Sequence, residues 1–317
     1  MTVLVTGASG LVGSHVVEGL RAAGEEVRIF EGDVADAGAW RRQSQGITRI
    51  FHGAAKVAQS IPWSEYERIN VGGTRLAVET ATSTGAHLVH MSSASVYGRT
   101  AVFAAGRGAV AEDFPLQPIP EHDFYARSKR MAEGLVRASG LPAIAIRSNV
   151  IFGERDRLFT PRVIRAVKMG FFPLIGSGKN HLSCVYVGNV ASGIVAALGH
   201  RPSAFRVYNV TADAPPALTQ REFISAFGEA LGVRLIKFPA PAFLASFGAQ
   251  LWARWLRFRD PRRYAGLGGA AISFITGENP YTDARVQQEL KWKPPFDTRT
   301  AIRRAVGGFE QQARGVV

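Results

Sequence analysis

Apolar residues along the first half of the chain fall in short unbroken runs, and helical patterns separate them. "TVLVTG" reads as a strand, and "LVGSHVVEGLRAAG" as a helix closed by Gly24. "EEVRIF" is a second strand, "DAGAWRRQSQG" a short helix, and "ITRIFHGAA" a third strand. "WSEYERINVGGTRLAVETATSTG" is helical in its later part and stops at Gly85; "HLVHMSSASVYG" is again a strand. A helix opens near Tyr125 and runs to Gly140, and "PAIAIRSNVIFG" predicts one further strand. Continuous apolar runs, unlike alternating ones, suit strands buried on both faces. Interleaved with helices, they indicate an α/β fold with a doubly wound parallel sheet.

After residue 155 the texture changes. Pro and Gly become frequent, as in "FFPLIGSGKN" and "TADAPPALTQ", while "SCVYV" and "RVYNV" remain strand-like. This predicts residues 1–155 as a nucleotide-binding domain and 156–317 as mainly a smaller, interleaved substrate lobe, with returns to the sheet near 183–210. The segment "FLASFGAQLWARWLRF" carries apolar residues at 244, 247, 251, 255 and 258, a helical stripe. A core-facing or lid helix explains it. Its Trp and Arg content also suits contact between 243–258 and a membrane surface or lipid-like substrate.

Composition narrows the class. The chain has 317 residues, 46% apolar and 20% charged, as in an ordinary soluble protein with a sizeable core. One cysteine, Cys184, excludes an internal disulfide, and the opening residues read as a strand; both fit a reducing, cytoplasmic setting. No apolar run approaches the ~20 residues of a membrane span. The net charge of +13 is spread over scattered arginines, which argues against a nucleic-acid partner. The seven histidines show no metal-ligand spacing, so no metal is expected.

Two segments carry chemistry. "TGASGLVGSH" sets Gly7, Gly10 and Gly13 at intervals of three between a strand and a helix. Gly7 suits a tight turn, Gly10 a close approach of backbone to a pyrophosphate, and Gly13 close helix–strand packing. The first N–H groups of the helix, at Leu11 and Val12, would face the phosphates. Glu31, ending the second strand, would bond a ribose hydroxyl and repel a 2′-phosphate, favouring NAD over NADP. In "DFYARSKRMAE", Tyr125 and Lys129 stand four apart, so a helix stacks them on one face. The spacing alone fits an incidental surface pair or a phenol held beside an ammonium.

The pieces "TGASGLVG", "GDV", "HGAAKV", "INVGGT", "MSSASVYG", "YARSK" and "RSNVIFG", in this order, resemble the extended short-chain dehydrogenase/reductase (NAD-dependent epimerase/dehydratase) family over nearly the whole chain. The C-terminal "YTDARVQQELKWKPP" is similar to that family's closing segment. The resemblance implies a Rossmann-type fold, an NAD-dependent enzyme and a homodimer. It implies Asp33 and Val34 near the adenine, Ala54 and Ala55 near the ribose, Asn70 steadying the sheet end, and Asn149 and Val150 near the nicotinamide. Ser93, Tyr125 and Lys129 would be the catalytic set. Tyr125 would pass a proton to or from the substrate oxygen, Ser93 would hold that oxygen, and Lys129 would lower the phenol pKa and bond the cofactor ribose. The chain departs from the pattern at one place. Glu31 and Asp33 are only two apart, too close for the usual crossover between them, so either one strand is missing or two have fused.

Two enzyme branches compete for the substrate. Nucleotide-sugar members place an arginine shortly before the "VYV" strand, suited to gripping a diphosphate; here Leu182 stands there, beside His181. Dehydratases place Asp–Glu after the catalytic serine, where this chain has Ala94 and Ser95. "GKN" and "GNVA" look like the 3-beta-hydroxysteroid dehydrogenase branch. The expectation is an oxidoreductase acting on a hydrophobic secondary alcohol or ketone (sterol-like, flavonoid-like or a β-keto acid), with Ser95 and His181 facing this small-molecule substrate. A nucleotide-sugar epimerase or dehydratase is the alternative, and a non-catalytic cofactor-binding regulator a further one.

Overall fold

The computed structural model describes residues 2–57, 61–98, 106–241 and 277–313, with positions 251, 254, 255, 258 and 259 between them. The elements in order are β1 (Thr2–Thr6), α1 (Leu11–Ala22), β2 (Glu26–Ile29), α2 (Ala37–Gln43), β3 (Ile47–His52) and α3 (Trp63–Tyr66). A π-helical turn (Glu67–Gly72) leads into α4 (Gly73–Thr84). Then come β4 (His87–Met91), a 3₁₀ turn (Ala94–Tyr97), α5 (Phe124–Ala138), β5 (Ile144–Arg147), β6 (Val150–Phe152), α6 (Thr160–Lys168) and β7 (Phe171–Ile175). The described elements end with β8 (Cys184–Tyr186), α7 (Val187–Leu198), β9 (Arg206–Asn209), α8 (Gln220–Leu231), β10 (Ile236–Ala240), α9 (Ala284–Glu289) and α10 (Thr298–Ala313).

Six strands form one parallel sheet in the order β2-β1-β3-β4-β5-β9. The side-chain period of two explains the unbroken apolar runs. In β1, Val3 and Val5 enter the core under α1 and α7, while Leu4 enters the opposite core with α2, α4 and α5. Val89 and Leu88 divide in the same way on β4. The chain leaves β1 for β2 on one side and crosses back to β3 on the other. This reversal opens a crevice at the carboxyl ends of β1 and β3, where α/β sheets bind ligands.

The choice left open at the second strand is settled, and the reading of a later strand needs correction. β2 is four residues long and pairs only with β1, so it is the sheet edge and the chain is one strand short. The segment "PAIAIRSNVIFG" is two strands. β5 stays in the main sheet, whereas β6 pairs with β8 in a separate two-stranded sheet. The break falls at Ser148–Asn149, where the Ser148 hydroxyl bonds the Val210 carbonyl and its own carbonyl accepts from Ala94. Of the expected returns to the sheet near 183–210, β9 joins it and β8 does not. Val185, Ile194, Val286 and Trp292 nonetheless pack into the core beneath β1 and β4, so the later chain completes the first core. A third core, around Phe152, Tyr186, Phe223, Phe227 and Ile302, builds the other lobe.

Candidate active site

The glycine turn lies at the mouth of the crevice. Gly7 has φ +72°, and a Cβ there would sit 2.7 Å from the Ala54 nitrogen. A Cβ on Gly13 would lie 2.1 Å from the Gly7 carbonyl oxygen. These two positions exclude a side chain, so β1, α1 and the exit of β3 can meet. Gly10 caps α1 without a side-chain bond, and the first intrahelical bond starts at Ser14. The amides of Leu11, Val12 and Gly13 therefore stand at the positive end of the helix with no side-chain cap, ready for a diphosphate. The residues present fit the dinucleotide.

Thr6, which the sequence did not single out, joins the two turns. Its hydroxyl accepts from the amides of Gly53 and Ala54, both at 3.1 Å, and lies 2.9 Å from His52 Nδ1. With both lone pairs occupied, the hydroxyl donates to Nδ1, which fixes His52 as the neutral Nε2–H tautomer. Burial agrees, pushing the His52 pKa down to about 3. Ala54 is thereby set beside Gly7, and Ala55 follows on the same loop.

At the nucleoside end, Glu31 follows the edge strand and is exposed; its backbone is clamped by Gln43, which donates to its carbonyl and accepts from its amide. Asp33 accepts from the Ala35 amide at 2.9 Å and pairs with Arg68, and these contacts lower its pKa. Its half-exposed carboxylate keeps acceptor capacity beyond these two bonds. Val34 is not a lining side chain. It is buried against Trp40, whose indole donates to its carbonyl, and against Gly73.

The reactive end is built differently. Asp123 caps α5 through the Ala126 amide, and Phe124 seats the helix start on Trp63 and Tyr66. Ser93 leaves β4 and begins the 3₁₀ turn, its hydroxyl accepting from Ser95 at 3.2 Å. That hydroxyl also acts on the Tyr125 phenol, favouring its ionised form. Ser93 and Tyr125 meet here, with Lys129 one helical turn further along α5. Lys129 is buried and donates to the Met91 carbonyl at 2.7 Å, at the end of β4. Burial dominates Tyr125 and raises its pKa above the ordinary 10; the Ser93 hydroxyl opposes this and Asp123 adds to it. Desolvation also lowers Lys129 to about 8. Tyr125 is therefore protonated at neutral pH and set to donate a proton.

Asn70 sits in the π-helical turn, a device that often marks functional sites. Its Oδ1 accepts from the Lys56 amide at 2.8 Å, and its Nδ2 donates to Lys56 O and to the Ser128 hydroxyl at 2.9 Å. It ties the β3 exit to α5 beside Lys129. Glu133 on α5 does the same for the β4 exit and for β5. Glu133 receives two bonds from Arg147, at 2.6 and 3.0 Å, and one from Ser92 at 2.6 Å. Arg147 also lies over the Tyr97 ring, whose hydroxyl donates to Asn209. A sequence signal existed: Glu133 stands one further helical turn beyond Tyr125 and Lys129, and Arg147 interrupts an apolar strand.

On the substrate side, Asn149 Nδ2 donates to Ser183 Oγ and to the Thr211 carbonyl. Its Oδ1, like Ser95 Oγ, is buried with no hydrogen-bond partner among the described residues. Such atoms carry a desolvation cost that a bound polar group would relieve. Val150 opens β6 beside them. His181 lines a cavity of about 150 Å³ with Arg107, Leu182, Cys184, Leu218, Phe223 and Asn279, and its Nδ1 lies 2.7 Å from Glu278.

A model of the NAD-dependent epimerase/dehydratase family matches residues 3–211. The chain belongs to this family of enzymes. The 2-alkyl-3-oxoalkanoate reductase of Stenotrophomonas maltophilia is 29% identical over 258 residues, covering 74% of this chain and 73% of the relative. The human sterol-4-alpha-carboxylate 3-dehydrogenase, decarboxylating, is 31% identical over 238 residues, covering 67% and 62%. The fold is shared with the UDP-glucose 4-epimerase of Thermus thermophilus in complex with NAD, at a TM-score of 0.71, 23% identity and full coverage of both chains. Membership makes NAD the cofactor, and the glycine turn is where its diphosphate fits.

Proposed function

We propose that this enzyme interconverts a hydrophobic secondary alcohol and its ketone, and that the substrate is a β-hydroxy or β-keto carboxylic acid with an apolar body. The observation that carries this reading is Leu182, in the lining of the cavity that His181 shares. That cavity mixes apolar Leu182, Leu218 and Phe223 with polar His181, Asp213 and Asn279, and Leu182, partly buried in the third core, stands before β8 where a diphosphate-gripping arginine would be. Arg107 supplies a guanidinium at the cavity's edge, suited to one carboxylate. The names of the two relatives agree, since a 3-oxoalkanoate and a 3-hydroxy-4-carboxylate both set oxygen β to a carboxylate.

NAD, when bound, accepts or supplies hydride at its nicotinamide ring. The chain's own residues handle the oxygen. Ser93 donates a hydrogen bond to it as charge develops, and Tyr125, whose burial raises its pKa and favours the protonated phenol, delivers the proton in the reducing direction. Lys129, Asn70 and the Glu133–Arg147 pair hold these groups in register.

Arg68 is paired with Asp33 and Glu65, which leaves it poorly placed for a 2′-phosphate and supports NAD over NADP. A scan of β-keto acids, β-hydroxy acids, sterols and UDP- or dTDP-sugars, followed by NADH absorbance, tests the proposal. Turnover of the keto acids is expected. The same protein residues also serve epimerisation, and the family includes epimerases. Sugar isomerisation without net NADH change, and no turnover of any keto acid, would overturn the reading.

A further inference from the structure

The small sheet of β7 and β10 has its amphipathicity reversed. In strands, alternate residues face opposite ways. Phe172, Val233 and Leu235 pack on the third core, Leu174 is fully buried, and Lys237 turns inward to bond Ser225. The outward set should be polar, yet it is Phe171, Pro173, Ile236 and Phe238, paired across the sheet as Phe171 with Ile236 and Pro173 with Phe238. Phe171 and Ile236 are each 58% exposed, Phe238 46%, and the adjoining Met169 70%. A contiguous exposed apolar patch of this kind marks a contact surface.

Its surroundings are cationic. Helix α6, which leads into β7, presents Arg162, Arg165 and Lys168 exposed at intervals of three and contains no acidic residue. Arg234 is exposed on the outward side of the chain entering β10. Further on, the helical positions Leu251, Trp255 and Phe258 share a face and are exposed, Phe258 at 88%, among Arg254 and Arg259. Positions 244 and 247 of the expected stripe lie outside the described residues. No described helix is long and apolar enough to cross a bilayer.

We infer that the β7–β10 face docks the enzyme on an anionic phospholipid surface, with the exposed Leu251, Trp255 and Phe258 entering the same interface. Apolar side chains enter the interface while the ring of Arg and Lys meets the head groups. A second copy fits poorly, because a two-fold contact through this face would oppose its own cations. The inference stands independently of the substrate proposed above.

Co-sedimentation of the full chain with phosphatidylglycerol/phosphatidylcholine vesicles and with pure phosphatidylcholine vesicles tests it. Strong, salt-sensitive binding to the first and weak binding to the second are expected, with a blue shift of tryptophan fluorescence that Trp255→Phe reduces. Phe171→Ser/Phe238→Ser should weaken binding on the order of tenfold or more, and Arg165→Glu/Lys168→Glu should do likewise. Unchanged circular dichroism and soluble-substrate turnover would show that the variants are folded. No binding to anionic vesicles overturns the inference. So does binding that responds to charge reversal but not to Phe171→Ser/Phe238→Ser, since that is bulk charge alone. Self-association without lipid that the Phe variant abolishes would instead assign the face to a second copy.

Discussion

The two ends of the crevice are built to different standards. At the reactive end, Ser93 and Lys129 are buried, and Glu133 on α5 holds Ser92 at the β4 exit and pairs with buried Arg147 on β5. At the nucleoside end, Glu31, Gly32 and Asp33 are exposed on an edge strand, because the strand that would flank them is absent. The difference teaches that chemistry and affinity are separable here. Substitutions at the first end should act on turnover and stability, and those at the second on cofactor binding.

The largest expected effect is that of Tyr125→Phe. It should cut turnover roughly a hundred- to ten-thousand-fold while leaving NADH binding, read by fluorescence titration, within about twofold. Equal losses in both would erase the contrast between the ends. Next is Glu133→Ala, which strands Arg147 in the core and should cost about 3–5 kcal/mol in urea unfolding. Glu133→Gln, which keeps an acceptor for Ser92, should cost less. A loss below about 1 kcal/mol for the Ala variant would mean that the reactive end is not clamped this way.

Lys129 supplies a pH test. The unfolded chain keeps its proton to about 10.5 and the folded chain to about 8, a difference of about 3 kcal/mol. The folded pKa is the lower one, so the unfolded state binds more protons between these values. The cofactor-free protein should gain stability as pH rises from about 8 to 10.5, with the full penalty present below about 8. Lys129→Met should flatten that rise in urea melts at pH 7, 9 and 10; an identical slope in both proteins would refute the assignment. The smallest effect belongs to the open end. Glu31→Ala should weaken NADH by about 1 kcal/mol and narrow its advantage over NADPH. A hundredfold loss would show the nucleoside end to be as tightly built as the other.

Most of this arrangement was legible before any fold was known. The glycine turn, the sheet class and the Tyr125–Lys129 spacing rest on local sterics and periodicity, which a short segment carries within itself. The short interval from Glu31 to Asp33 announced the lost strand, but only pairing could show that β2 became the edge. Thr6 bridges 46 residues to His52 and gave no local sign of its role. The phenol's pKa runs opposite to the expectation because spacing shows a neighbour on the helix, whereas burial depends on everything packed around it.

By itself, then, the chain's order of residues determined the parallel sheet, the diphosphate turn, and which phenol, amine and hydroxyl could meet. Backbone sterics and side-chain period act over a few residues and need no partner. Tertiary structure alone decided where Lys129 points, how the Glu133–Arg147 pair locks the site, that β5 and β6 part, and that the β7–β10 face turns its apolar side outward. Desolvation and hydrogen-bond satisfaction are properties of the packed whole, summed over groups that lie far apart along the chain.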